Sequence, residues 1–490
     1  MQFPFGPFAP DAGANTPGIC LTANGVVPKA QGYGPAKLLA TPTTADALPA
    51  APRGMITCLK RDGTTVVFGL TETTLYSLGS DFTWTSIQAG YTCTSGDDWS
   101  CRQFGNFLLF TNTTDGMQAY NIETGGSPSY ISAAGDPREI EIIANMVFGF
   151  DCLDSASTRD NRLIRNSDFN DHTDWSGGAA DYQPLEAGGA LLGAFNLRNG
   201  AAIVLQENSM RVLQFGNAGG GALYSLLEVS TERGVVGRKS CVAFDGVLYG
   251  ISTNGFFRFT LKEGLEFIGA GMVDEYFLDL VELADLAKVQ GAIDPANKLV
   301  LFRYPSNGDP SATVFANLIG YSWAFPANPW FTWTASTAYL SRIATAGYTL
   351  EDLDAFGTVD TITISWDDRF WQGGQKVFAA LGSDLKYATF SGANMAATIL
   401  TSTQNSPVTT MIGWATGIDD CATGTLEIGA SDALSDALVF EAAVAKYAAG
   451  KFPLRARGLN IAFRYNIPAA ATWTDAKGID HIGSNSGGPW

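Results

Sequence analysis

A hairpin pattern recurs seven times along the chain, and no other feature of the sequence restricts its fold as tightly. Each copy opens on a tight turn, runs into an apolar strand, turns again and ends in an aromatic strand. The clearest copy reads Asp245-Gly246, then VLYGI from Val247, then Thr253-Asn254-Gly255, then Phe256-Phe257-Arg258-Phe259. Others start at Asp62-Gly63 (VVFGL, then LYSL) and at Gly105-Asn106 (LLFTN, Asp115-Gly116, AYNI). Asn145 leads into MVFGF, Asn199-Gly200 into AIVLQENSMRVLQF, Asn297 into KLVLFRY and Gly374 into KVFAALGSDLKYATF. Starts lie roughly 40 to 55 residues apart except before the last copy, the spacing of propeller blades. A short meander of this kind buries its apolar faces only against neighbouring copies, so the repeat implies a stacked or closed array.

The expected fold is therefore all-β: a β-propeller of six to eight blades, seven by count, over residues 51–394. Residues 1–50 are rich in Pro, Ala, Gly and Thr and read as an extended N-terminal docking arm lying along another surface. Beyond Asn394 the pattern changes. Strands at Ala397–Leu400, Val408–Trp414, Gly424–Ile428, Val439–Val444 and Leu459–Ile467 predict a small C-terminal β-sandwich-like domain over residues 395–490. One helix is expected over Met272–Lys288, where apolar residues recur near helical spacing and acids crowd the first turn.

Thirty basic residues against 48 acidic ones leave a net charge of −18, which repels a nucleic-acid backbone. The three arginines between Arg455 and Arg464 lie along one apolar strand and form no basic patch. Seven scattered cysteines without a CxxC pair argue against zinc ribbons and redox motifs, and fit reduced thiols. The start, MQFPFGPFAPDAG, has neither a basic nor a continuous apolar region, so a signal peptide is not expected. The uncharged part of Pro310–Ser341 contains Pro326 and Pro329 and does not read as a membrane span.

Chemistry-bearing constellations are sparse. His172 and His481 are the two histidines, more than three hundred positions apart and in different expected domains, so a Ser-His-Asp or Cys-His arrangement is disfavoured. Asp151 to Asp154 and Ser167 to Asp171 offer oxygen ligands on loops without a full calcium-binding loop. Asp97-Asp98, Asp367-Asp368 and Asp419-Asp420 are acid pairs in turn contexts, relevant because paired carboxylates hydrolyse glycosides on some propellers. Ser167 to Trp175 approaches a sialidase-type box but lacks its glycine and spacing. Tyr321, Trp323 and Phe325, followed by Trp330 and Trp333, suit either a sugar platform or packing between blades, and two-residue spacing favours packing. The glycine run Gly216 to Gly221 has no following Lys-Ser/Thr and reads as a loop. No catalytic, cofactor-binding or metal-ligating residue is assigned, and no enzymatic activity is expected.

The order of several segments resembles the tail-hub or nozzle proteins of short-tailed bacteriophages, including the packaged-DNA-stabilisation family. Asn161-Arg162-Leu163-Ile164-Arg165-Asn166-Ser167 through Asp171-His172-Thr173-Asp174-Trp175 resembles that family's R-x-x-x-S…D-P-T-D-W segment, with His172 where proline is common. Ala201 to Phe215 is similar to the strand pair that follows, and Glu232 to Gly237 to its glycine turn. Asp245 to Phe257, Val289 to Tyr304, Ile319 to Trp323 and Phe452 to Trp473 continue the likeness in order, whereas the first fifty residues show none.

The resemblance implies a structural virion protein of a phage tail, assembled in the bacterial host cytoplasm. It implies a homo-oligomeric ring, a hexamer, below the portal and adaptor proteins. Such a ring surrounds the DNA channel, retains packaged DNA and passes it during ejection without sequence-specific binding. Its outer surface meets a tail needle, fibre or tailspike. A net charge of −18 per subunit suits a lumen along which DNA slides. The alternatives from other classes are a propeller glycan hydrolase or depolymerase and a glycan-binding adhesin of a phage tail.

Overall fold

A computed structural model describes residues 2–485 apart from 95, 199, 217–222, 306–312, 345–357, 359–375, 434–435 and 448. Five separate four-stranded antiparallel sheets follow one another along the chain. Blade 1 comprises Gly54–Leu59, Thr65–Leu70, Thr74–Leu78 and Trp84–Ala89; blade 2 comprises Ser100–Phe104, Phe107–Thr111, Gln118–Asn121 and Ser129–Tyr130. Blade 3 is built from Glu139–Ile143, Met146–Leu153, Arg159–Asn166 and Asp181–Pro184, and blade 4 from Leu191–Asn196, Ala201–Gln206, Met210–Phe215 and Tyr224–Ser230. Val242–Phe244, Val247–Ser252, Gly255–Thr260 and Gly264–Phe267 make blade 5.

Blades 6 and 7 share one strand. Gln290–Asp294, Leu299–Tyr304 and Phe315–Ser322 continue into the first half of Trp330–Ala344, which ends blade 6. Past Thr337 that same strand pairs with Lys376–Gly382 and so opens blade 7, whose third strand is Tyr387–Thr389. The ring then closes on itself: the Thr57 hydroxyl in blade 1 donates to the Arg342 carbonyl in blade 7 at 3.2 Å. Between blades 6 and 7 the Gln290 amide stands in for a peptide, donating to Leu340 O at 2.9 Å and accepting from Leu340 N at 3.2 Å.

The all-β propeller expected from the repeat is present, and the described recurrent turns fall between the first and second strands of their blades. Ala144-Asn145 (φ 50° and 62°) and Asp245-Gly246 (φ 54° and 81°) are left-handed at both positions, as a two-residue hairpin turn needs. The Gly374 turn lies outside the described residues. Apolar faces of successive blades cover each other, which is why second strands read as continuous apolar runs. Phe148, Phe150 and Ile164 of blade 3 meet Leu191, Val204 and Leu213 of blade 4, all fully buried. Burying one such side chain contributes about 1.5–3 kcal/mol.

The first fifty residues run extended, as expected, but along this chain itself rather than as an arm on another surface. Gln2–Pro4 pairs with Ala476–Asn485, Cys20–Asn24 pairs with Ala397–Thr401, and the hairpin Val26–Pro28/Tyr33–Pro35 touches Ala476 through Tyr33. Ala40 and Ala47 then bridge Thr389 and Lys386, supplying the outer edge of blade 7. Ala45 and Leu48 pack with Val67, Phe82 and Leu381 between blades 7 and 1. Composition suggested no fold for this segment because its apolar residues find their partners elsewhere in the chain, from blade 1 to the C-terminal strands.

The C-terminal strands are longer than sequence implied. Lys451–Ile467 has 17 residues and changes partner midway. Its first part pairs with Gln404–Asp419 and its last part lies between Ala397–Thr401 and Thr425–Ser431. Arg455 and Arg457 point outward from it, alternating with buried Leu454 and Ala456. Ala476–Asn485, which sequence left unassigned, is also a strand.

The helix expected over Met272–Lys288 is split into an α-helix, Asp274–Leu280, and a 3-10 turn, Leu283–Lys288. The break falls at Val281, which adopts an extended conformation and is buried. Asp11 of the N-terminal segment caps this helix, accepting from the Glu275 and Tyr276 amides at 2.8 Å each. Asp274 lies buried beside it and accepts from Phe256 N at 2.9 Å. Burial, reinforced by the charge of Asp11 and opposed by the Phe256 N–H, raises the Asp274 carboxyl to about 6.

Two outcomes follow. A chain beginning at residue 49 loses the outer edge of blade 7 and the partner strands of the C-terminal region, so it should show no cooperative thermal transition. A free arm would be removable with an unchanged Tm. Because the raised Asp274 pKa favours the protonated folded state, its stabilisation is complete below the ordinary value of 3.8 and lost as pH rises through about 6. Asp274→Asn keeps the acceptor without the charge. It should match the parent Tm near pH 3.5 and exceed it at pH 8.

Candidate functional site at the hub of the ring

Where the innermost strands converge, side chains from the loops that enter them meet around the axis. Asp151 is the sixth of seven consecutive buried residues, Met146 to Cys152, in Met146–Leu153 and is itself left-handed (φ 56°). Three guanidinium groups surround it: Arg159 at 3.2 Å, Arg238 at 3.6 Å and Arg138 at 3.7 Å. Arg138 continues to Asp97 at 3.2 Å, and Arg238 to Glu139 at 3.4 Å. Lys239 reaches Asp98 at 3.0 Å and donates to the Arg53 carbonyl at 3.1 Å, and Arg102 pairs with Glu141 at 2.8 Å.

Burial and neighbouring charges oppose each other across this network. Burial pushes the Asp97 carboxyl up, but the Thr113 hydroxyl and amide, with Arg138 and Arg238, outweigh it and hold the group below its usual range. Burial lowers Lys239, while Asp98 raises it further, so the ammonium titrates above its ordinary value. Arg238 is shifted down, burial outweighing its carboxylate neighbours. The chemistry of such a set is charge pairing and anion attraction; adjacent Asp97 and Asp98 face different cations and do not form an acid/base pair.

The other candidates are dispersed. Asp367-Asp368 lies outside the described residues. Asp419 is buried against Lys446 at 2.7 Å. Asp420 clamps the Thr474 and Asp475 amides; despite a burial effect that raises it, these hydrogen bonds bring it down to about 2. Asp154 accepts from Ala156 and Thr158, Asp171 from Thr173, and Asp168 from Ala179, so each carboxylate is engaged by nearby backbone. Among the described residues no three His, Cys, Asp or Glu side chains are placed to hold a metal ion.

His172 packs on Phe107 at 4.4 Å and its carbonyl accepts from the Trp175 indole. Burial lowers its pKa despite Asp171. His481 lies far away, against Phe3 at 5.3 Å. Tyr321, Trp330 and Trp333 are buried, with Trp330 bonded to Ile268 O and Trp333 to Val26 O. Trp323, half-buried, stacks over Tyr249 of blade 5 at 6.0 Å. All seven cysteines are free and buried, and burial raises Cys93 and Cys241 to about 12. No helix among the described residues is long and apolar enough to cross a membrane; Phe315–Ser322 and Trp330–Ala344 are strands.

Reading residues one at a time missed the hub cations. Their signal is positional: Arg53, Asp97-Asp98, Arg138 and Arg238-Lys239 all stand just before the first strand of a blade. Counted back from the recurrent turns, these charges fall within the same short stretch before each first strand but not at one position.

No family model matches the chain, and no curated protein matches it. Among solved structures it is similar to a streptogramin B lyase structure, at 12% identity over 70% of this chain and 94% of that one, with a TM-score of 0.41. It is also similar to a quinonprotein alcohol dehydrogenase-like protein from Bacteroides thetaiotaomicron, at 11% identity over 57% of this chain and 65% of that one, TM-score 0.35. The extracellular domain of a hybrid two-component system from the same organism aligns at 9% identity over 85% of this chain and 47% of that one, TM-score 0.39. The propeller class rests on the strand pairing itself. The expectation of no enzymatic activity is corrected: enzymes stand among the similar structures, so this architecture does not by itself exclude catalysis.

Asp151→Asn keeps the shape of the hub but leaves three guanidinium groups without their shared partner. It should lower unfolding stability by about 3 kcal/mol in urea titrations, as breaking a buried pair does. A change below about 0.5 kcal/mol would mean that solvent compensates these charges.

Proposed function

We propose that this chain is a structural virion protein of a bacteriophage tail, a ring-forming hub or nozzle that surrounds the DNA channel. The reading begins with the ordered resemblance from Asn161 to Trp473. Its best-marked segment is a structural clasp. Ser167 exchanges hydrogen bonds with Val147, Asp168 N donates to Asp174 O, and Trp175 is buried between blades 2 and 3.

The observation that carries assembly is the asymmetry of the rim. Blades 6 and 7 are covered by this chain's own N-terminal segment through Asn24–Thr332 and Ala40–Thr389. Among the described residues no strand lies beyond the outermost strands of blades 1 to 5, and those of blades 2, 3 and 4 expose Tyr130 (53%), Tyr182 (69%) and Leu227 (54%). Neighbouring edge strands with exposed apolar side chains are a template for subunit association. Subunits meet through this rim in a homo-oligomeric ring, and the net charge of −18 keeps passing DNA from adhering.

Negative-stain microscopy of the purified protein should reveal rings with a central channel. In light scattering after size exclusion, the combined Tyr130→Lys, Tyr182→Lys and Leu227→Lys variant should run as a monomer with an unchanged Tm. A parent protein that is monomeric at all concentrations removes the reading.

A further inference from the structure

All seven blades contribute to a cavity of about 370 Å³ on the ring axis, within the size range of small-ligand sites. Four cations line it, Arg102, Arg238, Lys239 and Arg342, against one carboxylate, Glu139. The carboxylates that pair three of them, Glu141, Asp98 and Asp151, stand outside the lining, so the excess is confined to the cavity wall.

The four cations are not equivalent. Arg102, Arg238 and Lys239 are each held by a carboxylate, as described above. Arg342 makes no ion pair among the described residues. Its guanidinium lies over Phe244 at 5.3 Å and its Nε is buried without an acceptor. Behind the wall, Arg303 is the register partner of Gln290 and is 5% exposed; its Nε and Nη1 also lack acceptors. Buried donors left unmatched are uncommon in folded proteins, and a bound water, ion or ligand satisfies them. A guanidinium that feels the Asp294 charge but makes no ion pair with it, beside a partly open polar cavity, favours a planar or tetrahedral oxyanion.

We propose that the hub cavity binds a small oxyanion, a molecule carrying phosphate or carboxylate groups, with Arg342 as its main contact. Arg102, Arg238 and Lys239 supply positive potential along the same wall. Aromatic walls from Trp99 and Tyr339 exclude bulk water and strengthen the attraction. The site concerns one subunit and does not depend on the tail assignment.

Calorimetric titration of the full chain with inorganic phosphate, pyrophosphate and citrate tests this, with sodium chloride at matched ionic strength as the control. Saturable one-to-one binding of either the phosphates or citrate is expected, and which series binds identifies the ligand chemistry. Arg342→Met should weaken that binding about tenfold or more, the loss of one charge-assisted contact, with an unliganded Tm within a few degrees of the parent. If that variant does not fold, Arg342→Lys, which keeps the charge but not the planar donors, should still weaken binding. No saturable binding by any probe, or unchanged affinity in a folded Arg342 variant, overturns the proposal.

Discussion

Mutual coverage of blade faces is the constraint on which the rest of this structure depends. Each four-stranded sheet has apolar side chains on both faces and is too small to bury them alone. Phe68 and Phe110 are covered only because blades 1 and 2 stack, as Ile203 and Phe257 are between blades 4 and 5. An open array would leave two faces bare, so the last blade must meet the first. The shared strand Trp330–Ala344 and the N-terminal residues Ala40 to Leu48 make that junction.

Closing the ring brings charged loops together at the axis, where space is limited and solvent is scarce. The resulting network uses one left-handed aspartate, Asp151, to hold three arginines: Arg138 and Arg238 from segments before first strands, and Arg159 from the start of a blade 3 strand. Pairing of this kind adds little net stability but makes any mispacking of the blades costly, because a displaced loop strands a buried charge. Rigidity at the hub and bare edge strands at the rim are two consequences of the same closure.

Much of this was legible one residue at a time. Turn pairs such as Asp62-Gly63 and Asp245-Gly246 carry their own geometry, because hairpin turns require left-handed residues that few side chains tolerate. Two-residue alternation placed Tyr321, Trp323 and Phe325 in packing; Tyr321 is buried, whereas Trp323 and Phe325 are half-buried. Three features were not legible. The split of the helix at Val281, the pairing of Gln2–Pro4 with Ala476–Asn485 and the meeting of Arg238 with Asp151 all join residues that local pattern treats as independent.

By itself the sequence determined the period, the strand type, the number of recurrent hairpins and the acidity of the whole chain, because these depend on neighbours within a few residues. Tertiary structure alone decided that the N-terminal segment belongs to the far end of the molecule and that scattered charges form one hub. Both follow from ring closure, a contact between residues hundreds of positions apart that leaves no periodic trace in the chain.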